Sequence, residues 1–155
     1  MEDKKQKKES KNAWLKYDST QLEELNTLNE EYKNFISSCK TERECVTEAI
    51  AKAEAQGYQD LRKVKEVKAG DKLYYNNMGK AVALFLVGTK PLEEGMKLLG
   101  AHIDSPRLDL KQVPLYEDTE MALLDTHYYG GIKKYQWVTL PLAIHGVVAK
   151  KDGTN

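Results

Sequence analysis

The chain has 155 residues, 41% apolar and 31% charged, with 24 Lys plus Arg balancing 24 Asp plus Glu, so it carries no formal net charge at pH 7. That length gives one or two folded units burying roughly two thirds of the surface an unfolded chain exposes, and the charge balance excludes an overall electrostatic case for nucleic acid or an anionic membrane. No run approaches the ~18 apolar residues of a membrane span, and the charged start MEDKKQKKESK lacks the apolar core of a secretory signal, so a cytoplasmic protein is expected.

Residues 1–12 read as a lysine-rich solvated lead-in. A helix is predicted from Ser19 or Thr20, because Leu22, Leu25, Leu28, Tyr32, Phe35 and Ile36 recur at spacings that gather them on one face, which is expected to pack. Ser37, Ser38, Cys39 and Lys40 interrupt that pattern. Thr41 and Glu44 then stand at the spacing of a capping box for a second helix. Its Val46, Ala49, Ile50 and Ala53 share a face, and it stops at Gly57, suited to the left-handed position after a helix end. Cys39 and Cys45 match neither a CxxC redox pair nor a zinc ribbon, and are expected to be reduced structural thiols.

Residues 72–75 predict a short strand and 76–79 a turn with Gly79 where positive φ is easy. The continuous apolar run at 81–87 predicts a central strand buried on both faces. A turn through Pro91 leads to a further buried strand at 96–101, which delivers His102 and Asp104 to its carboxyl end. Period-two alternation would put those two side chains on the same side, and ligands of open α/β sheets bind outside strand carboxyl ends. From residue 108 the texture turns to β: 108–111 alternates, 121–129 is strand-like, Gly130-Gly131 is a turn, and 135–140 and 142–149 read as strands. Lys151-Asp152-Gly153 holds the Asp-Gly pair of a type I′ hairpin. Only Thr154 and Asn155 follow, so the returning strand is absent and the sequence reads as truncated.

A neutral imidazole binds zinc well, and a metal-bound histidine commonly gives its other N–H to a carboxylate that fixes its tautomer. His102 and Asp104 could supply that ligand and its partner. By spacing alone, a hydrogen-bonded structural histidine and a metal or catalytic one both stay open. His127, beside Tyr128 and Tyr129, reads as structural, and His145, in an apolar stretch, as a core or interface group or a functional one. The chain holds no Gly-rich phosphate loop, GxSxG elbow or HExxH helix. Tyr128, Tyr129, Tyr135 and Trp137 near Lys133 and Lys134 read as a folded β surface rather than a nucleic-acid platform.

The block Gly100-Ala101-His102-Ile103-Asp104-Ser105-Pro106-Arg107-Leu108-Asp109 and the later His127-Tyr128-Tyr129-Gly130-Gly131-Ile132-Lys133-Lys134-Tyr135-Gln136-Trp137 resemble the aspartyl aminopeptidase family of zinc metallopeptidases, which includes the aminopeptidase I relatives. The resemblance runs from about residue 13 onward. Ala-His-x-Asp-Ser-Pro is the specific part.

Several expectations rest on this resemblance. His102 matches the first metal-binding histidine, Asp104 the catalytic-site acid that orients it, and His145 a histidine that contacts substrate, reaching a neighbouring subunit's site. Residues 1–107 would be the N-terminal part of an α/β catalytic domain, and 108–155 the start of an inserted β-rich dimerisation domain. The parent protein would remove N-terminal residues from peptides and assemble as a homo-oligomer through the β-rich domain, with no nucleic-acid or membrane partner. Two zinc ions would polarise the scissile carbonyl and activate water for a glutamate base. That base and the remaining ligands would lie beyond residue 155, so the isolated chain is expected to be inactive. The rival reading is a catalytically inactive, truncated binding or interaction module.

Overall fold

The computed structural model describes residues 12–154, which divide between two compact units, Met1–Ser37 and Ser38–Asn155. In the first unit, the Asn12 side chain caps a single 3-10 turn at Ala13–Leu15, and Trp14 meets Tyr17 edge to face at 6.1 Å. Helix α1, Ser19–Ser38, starts as predicted. Its start is secured by an exchange the apolar spacing could not reveal: the Gln21 amide donates to Asp18 Oδ1 (2.9 Å) and the Asp18 amide to Gln21 Oε1 (3.1 Å). Leu22, Leu28, Tyr32 and Ile36 are exposed, so the apolar face is formed but is not the buried surface the periodicity predicted. Periodicity defines a stripe; burial needs a second surface.

The second unit opens with α2, Glu42–Ala55, and the predicted capping box is present: the Glu44 amide donates to Thr41 Oγ1 (3.2 Å), and the Thr41 amide to Glu44 Oε2 (2.9 Å). Past the Gln56 cap the chain turns through Gly57 at φ 85°. A three-stranded sheet follows, in the order β1 (Gln59–Asp60), β2 (Lys72–Asn77), β3 (Ala81–Leu86), with β1 parallel and β3 antiparallel to β2. Val46 and Ala53 of α2 and Leu73 and Tyr74 of β2 form its small core, joined by the free thiols Cys39 and Cys45. Burial raises the pKa of both thiols, which keeps them protonated, as the reduced pair expected from spacing. Tyr74 Oη donates to Glu54 Oε1 (2.7 Å) and Lys72 Nζ to the Gln56 carbonyl (3.0 Å), tying sheet to helix.

Met78, Gly79 and Lys80 make the three-residue turn between β2 and β3, with Met78 and Gly79 at φ 54° and 68°, and Arg43 Nη1 donates to the Met78 carbonyl (3.2 Å). The turn is therefore pinned to α2.

Strand β3 corrects the reading of a central, doubly buried strand. Among the described residues it pairs only with β2, at the sheet edge, and Leu84, Phe85 and Leu86 are exposed. Apolar content suits a strand for burial, but only neighbouring strands and layers bury it. Residues 96–101 are likewise not a strand, and Leu99 is 99% exposed. A strand is stabilised by its ladder, and among the described residues none pairs with this segment.

A second sheet is the antiparallel pair β4 (Arg107–Asp118) and β5 (Met121–Tyr129). Thr119 and Glu120, at φ 50° and 63°, form its turn. Register breaks between Leu110 and Leu115, with Val113 at φ 53° immediately before Pro114. Beyond Gly130-Gly131, the strand predicted at 135–140 is instead a single helical turn, α3 (Lys134–Trp137), and 142–149 forms no strand. The Gln136 amide donates to the Lys133 carbonyl (2.9 Å), so a local bond replaces a ladder for which no partner strand is present among the described residues. The Asp-Gly turn is not type I′ either. Gly153 alone of the pair takes positive φ (84°), its amide donates to the Lys150 carbonyl (3.1 Å), and the Lys150 amide to the Thr154 carbonyl (2.8 Å). The glycine thus follows the turn instead of forming its centre. Helices and sheets together make the expected mixed α/β architecture, and no helix among the described residues is long and apolar enough to cross a membrane.

Candidate functional site

His102 and Asp104 do meet, although no strand carries them. The segment from 102 to 104 turns so that His102 Nδ1 lies 3.1 Å from the Asp104 carbonyl oxygen and 3.1 Å from Asp104 Oδ1. A carbonyl and a carboxylate only accept, so in the neutral ring Nδ1 carries the hydrogen and Nε2 keeps its lone pair. The His102 side chain is 83% exposed, leaving that lone pair facing solvent. This tautomer leaves Nε2 able to bind a metal.

Asp104 is held from its other oxygen. Tyr129, the last residue of β5, donates its hydroxyl to Asp104 Oδ2 at 2.7 Å. That hydroxyl, with His102 adding to it, holds the Asp104 carboxyl below the usual carboxylate range, and the same contact raises the Tyr129 phenol. Arg107 lies across from Tyr129 in the β4–β5 register and sets its guanidinium 4.2 Å from the ring centroid. Its Nε donates to Asp109 Oδ1 (2.7 Å) and its Nη1 to Glu42 Oε1 (3.1 Å), linking β4 to α2.

Gly130, at φ 73°, lies where an added Cβ would come 3.4 Å from Pro106 Cα, so the Gly-Gly turn sits against the Ser-Pro turn. Cys45 contributes from below, its thiol 3.8 Å from the Ile103 carbonyl.

His145 takes another place. Its Nδ1 lies 2.9 Å from Glu44 Oε1, whose carboxylate already accepts the Lys40 and Thr41 amides at 2.7 and 2.9 Å through Oε2. The contact with His145, followed by those amides, holds the Glu44 carboxyl below its usual range. No hydrogen bond or ion pair among the described residues joins His145 to His102 or Asp104. His127 stacks on Tyr128 at 5.2 Å, in keeping with a structural histidine.

The donor set at His102 suits zinc as one ligand with an orienting carboxylate. It does not complete a site, because no group of three or more His, Cys, Asp or Glu able to hold a metal occurs among the described residues, whereas a catalytic zinc takes three protein ligands. Tyr129 as the partner of Asp104 and Glu44 as the partner of His145 are not foreseen from the sequence. Tyr129 and Arg107 both stood inside the two motif blocks, but nothing in their spacing said that the blocks touch.

A family model for the aminopeptidase I zinc metalloprotease, M18, matches residues 35–155. A probable M18 family aminopeptidase 1 from Clostridium acetobutylicum is 66% identical over 151 residues, 95% of this chain and 32% of the relative. The crystal structure of aminopeptidase I from Clostridium acetobutylicum superposes with a TM-score of 0.77 at 65% identity, over 93% of this chain and 32% of that one. Aminopeptidase I from Borrelia burgdorferi superposes with a TM-score of 0.86 at 42% identity, over 92% of this chain and 35% of that one. This chain thus spans about a third of the length of the relatives it matches, and it belongs to the aminopeptidase I zinc metalloprotease family, M18.

Proposed function

We propose that this chain carries the first corner of a two-zinc aminopeptidase active site that releases N-terminal residues from peptides. The observation that carries the reading is the held Nδ1 of His102, clamped between the carbonyl and carboxylate of Asp104 with Nε2 open. His102 would hold metal through Nε2, and Asp104 would fix its tautomer and raise its basicity. Bound zinc would supply Lewis acidity toward the scissile carbonyl. What this chain's residues contribute is orientation: the lone pair is aimed before any metal arrives.

Residues 1–107 would belong to the catalytic α/β domain and 108–155 to an inserted β-rich domain through which the protein forms a homo-oligomer. The change from the first sheet to the long β4–β5 pair, beginning at Arg107, supports that division. His145 would contact substrate in the assembly. Balanced charge supports a partner list without nucleic acid or membrane, and two free, buried thiols fit a cytoplasmic setting. In a protein of the relatives' length carrying this sequence, His102→Ala should abolish peptidase activity and lower bound zinc. Unchanged turnover would sink the assignment.

A further inference from the structure

We propose that Tyr129 is a positioning residue for the candidate metal ligand, setting the tautomer and aim of His102 through Asp104; this rests on the reading of His102 as a ligand through Nε2. Residues 95–106 belong to no strand or helix, so no ladder sets their geometry. Side-chain ties must do so. An aspartate carboxylate has a broad torsional preference about its terminal bond, and one 3.1 Å contact from Oδ1 to an exposed imidazole does little to restrict it. The 2.7 Å hydrogen bond from Tyr129 to Oδ2 is short and charge-assisted, and fixes the carboxylate plane.

Tyr129 can do this because it is itself held. Its backbone is in register with Arg107, the Arg107 guanidinium covers its ring, and Arg107 is anchored to Glu42 of α2 and Asp109 of β4. Gly130 beside it lets the turn close on Pro106. A chain of contacts therefore runs from α2 through Arg107, Tyr129 and Asp104 to His102. The end of β5, 25 residues downstream of Asp104, decides where the imidazole points.

The test is Tyr129→Phe, which keeps the ring over Arg107 and removes only the hydroxyl. Ring nitrogen-15 shifts of His102 in the 155-residue chain, at about pH 8 where an ordinary imidazole is neutral, report its tautomer without any metal. The wild type should show Nδ1–H in excess, and Tyr129→Phe should move the population toward that of a free imidazole. In a protein of the relatives' length, zinc affinity measured against a competing chelator should fall roughly 10-fold, the lower end of what loss of an outer partner costs. Arg107→Gln, which uncovers the ring but keeps the hydroxyl, should move the tautomer in the same direction by less. If Tyr129→Phe leaves tautomer and zinc affinity unchanged while Asp104→Ala alters both, the positioning role is overturned and the ligand reading stands. If Asp104→Ala also changes neither, the main-chain carbonyl of Asp104 alone holds Nδ1 and the positioning role is overturned; if His102→Ala leaves zinc affinity unchanged, the ligand reading falls and the proposal with it.

Discussion

At the scale of single residues, the informative contacts are those made by acceptors. Two oxygens of Asp104 converge on one nitrogen of His102, and that alone assigns the imidazole hydrogen. Asp104→Asn, in a protein of the relatives' length, should cost 10- to 100-fold in zinc affinity, checked by metal competition; full affinity would mean the main-chain carbonyl suffices. Asp60 offers a contrasting case in which a carboxylate serves the fold. It accepts the Arg62 amide, Nε and Nη2 at 3.0, 3.0 and 2.7 Å, and these bonds lower its pKa from 3.8 to about 2. A carboxyl whose folded pKa is depressed adds stability that is complete above its unfolded value and lost as pH falls through the folded one. The unfolding temperature should therefore fall as pH drops from about 4 to 2, and Asp60→Asn should flatten that part of the profile.

At the scale of elements, α2 is the piece on which the others converge. Its N-terminus carries a complete capping box, and the glutamate of that box is also the partner of His145. Thr41→Ala should cost about 1 kcal/mol in denaturant unfolding, the usual loss for a side-chain cap. Glu44→Ala and His145→Ala should be non-additive. The pair is about a third exposed on each side, so solvent screening keeps the coupling to roughly 0.5 kcal/mol. A coupling of zero in a double-mutant cycle would show that His145 does not lean on α2 in solution. The capping box was legible because it is local: three residues of spacing contain all its geometry. The second helix, the alternation at 108–111 and the strand at 121–129 were legible for the same reason, whereas the rest of β4 and its pairing with β5 were not. The strands read at 96–101, 135–140 and 142–149 were not, because alternation or an apolar run says what a segment could pair with and never that a pair exists.

At the scale of the whole molecule, the described residues hold a small core and much exposed apolar surface, including Leu98 and Leu99 beside the candidate site. The relatives are about three times as long as the part this chain matches. With no group of three potential ligands among the described residues, the 155-residue chain alone should bind zinc weakly and hydrolyse no peptide. Metal analysis and a peptidase assay on the purified chain check this directly. Tight zinc binding with turnover would show that it supplies more ligands than His102.

What the sequence by itself determined was the content of short windows: the two helices and the capping box of the second, the start of β4 and the strand at 121–129, and the two motif blocks that point to the M18 family. These depend on torsional preference and on contacts within a few residues, which spacing encodes. Only the tertiary structure decided which strands find partners, that β3 is an edge among the described strands, and that Tyr129 of the second block, covered by Arg107 of the first, holds Asp104. A hydrogen bond between residues 104 and 129 leaves no periodic trace in the residues between them. It exists because β5 returns antiparallel to β4 and brings its last residue level with Arg107.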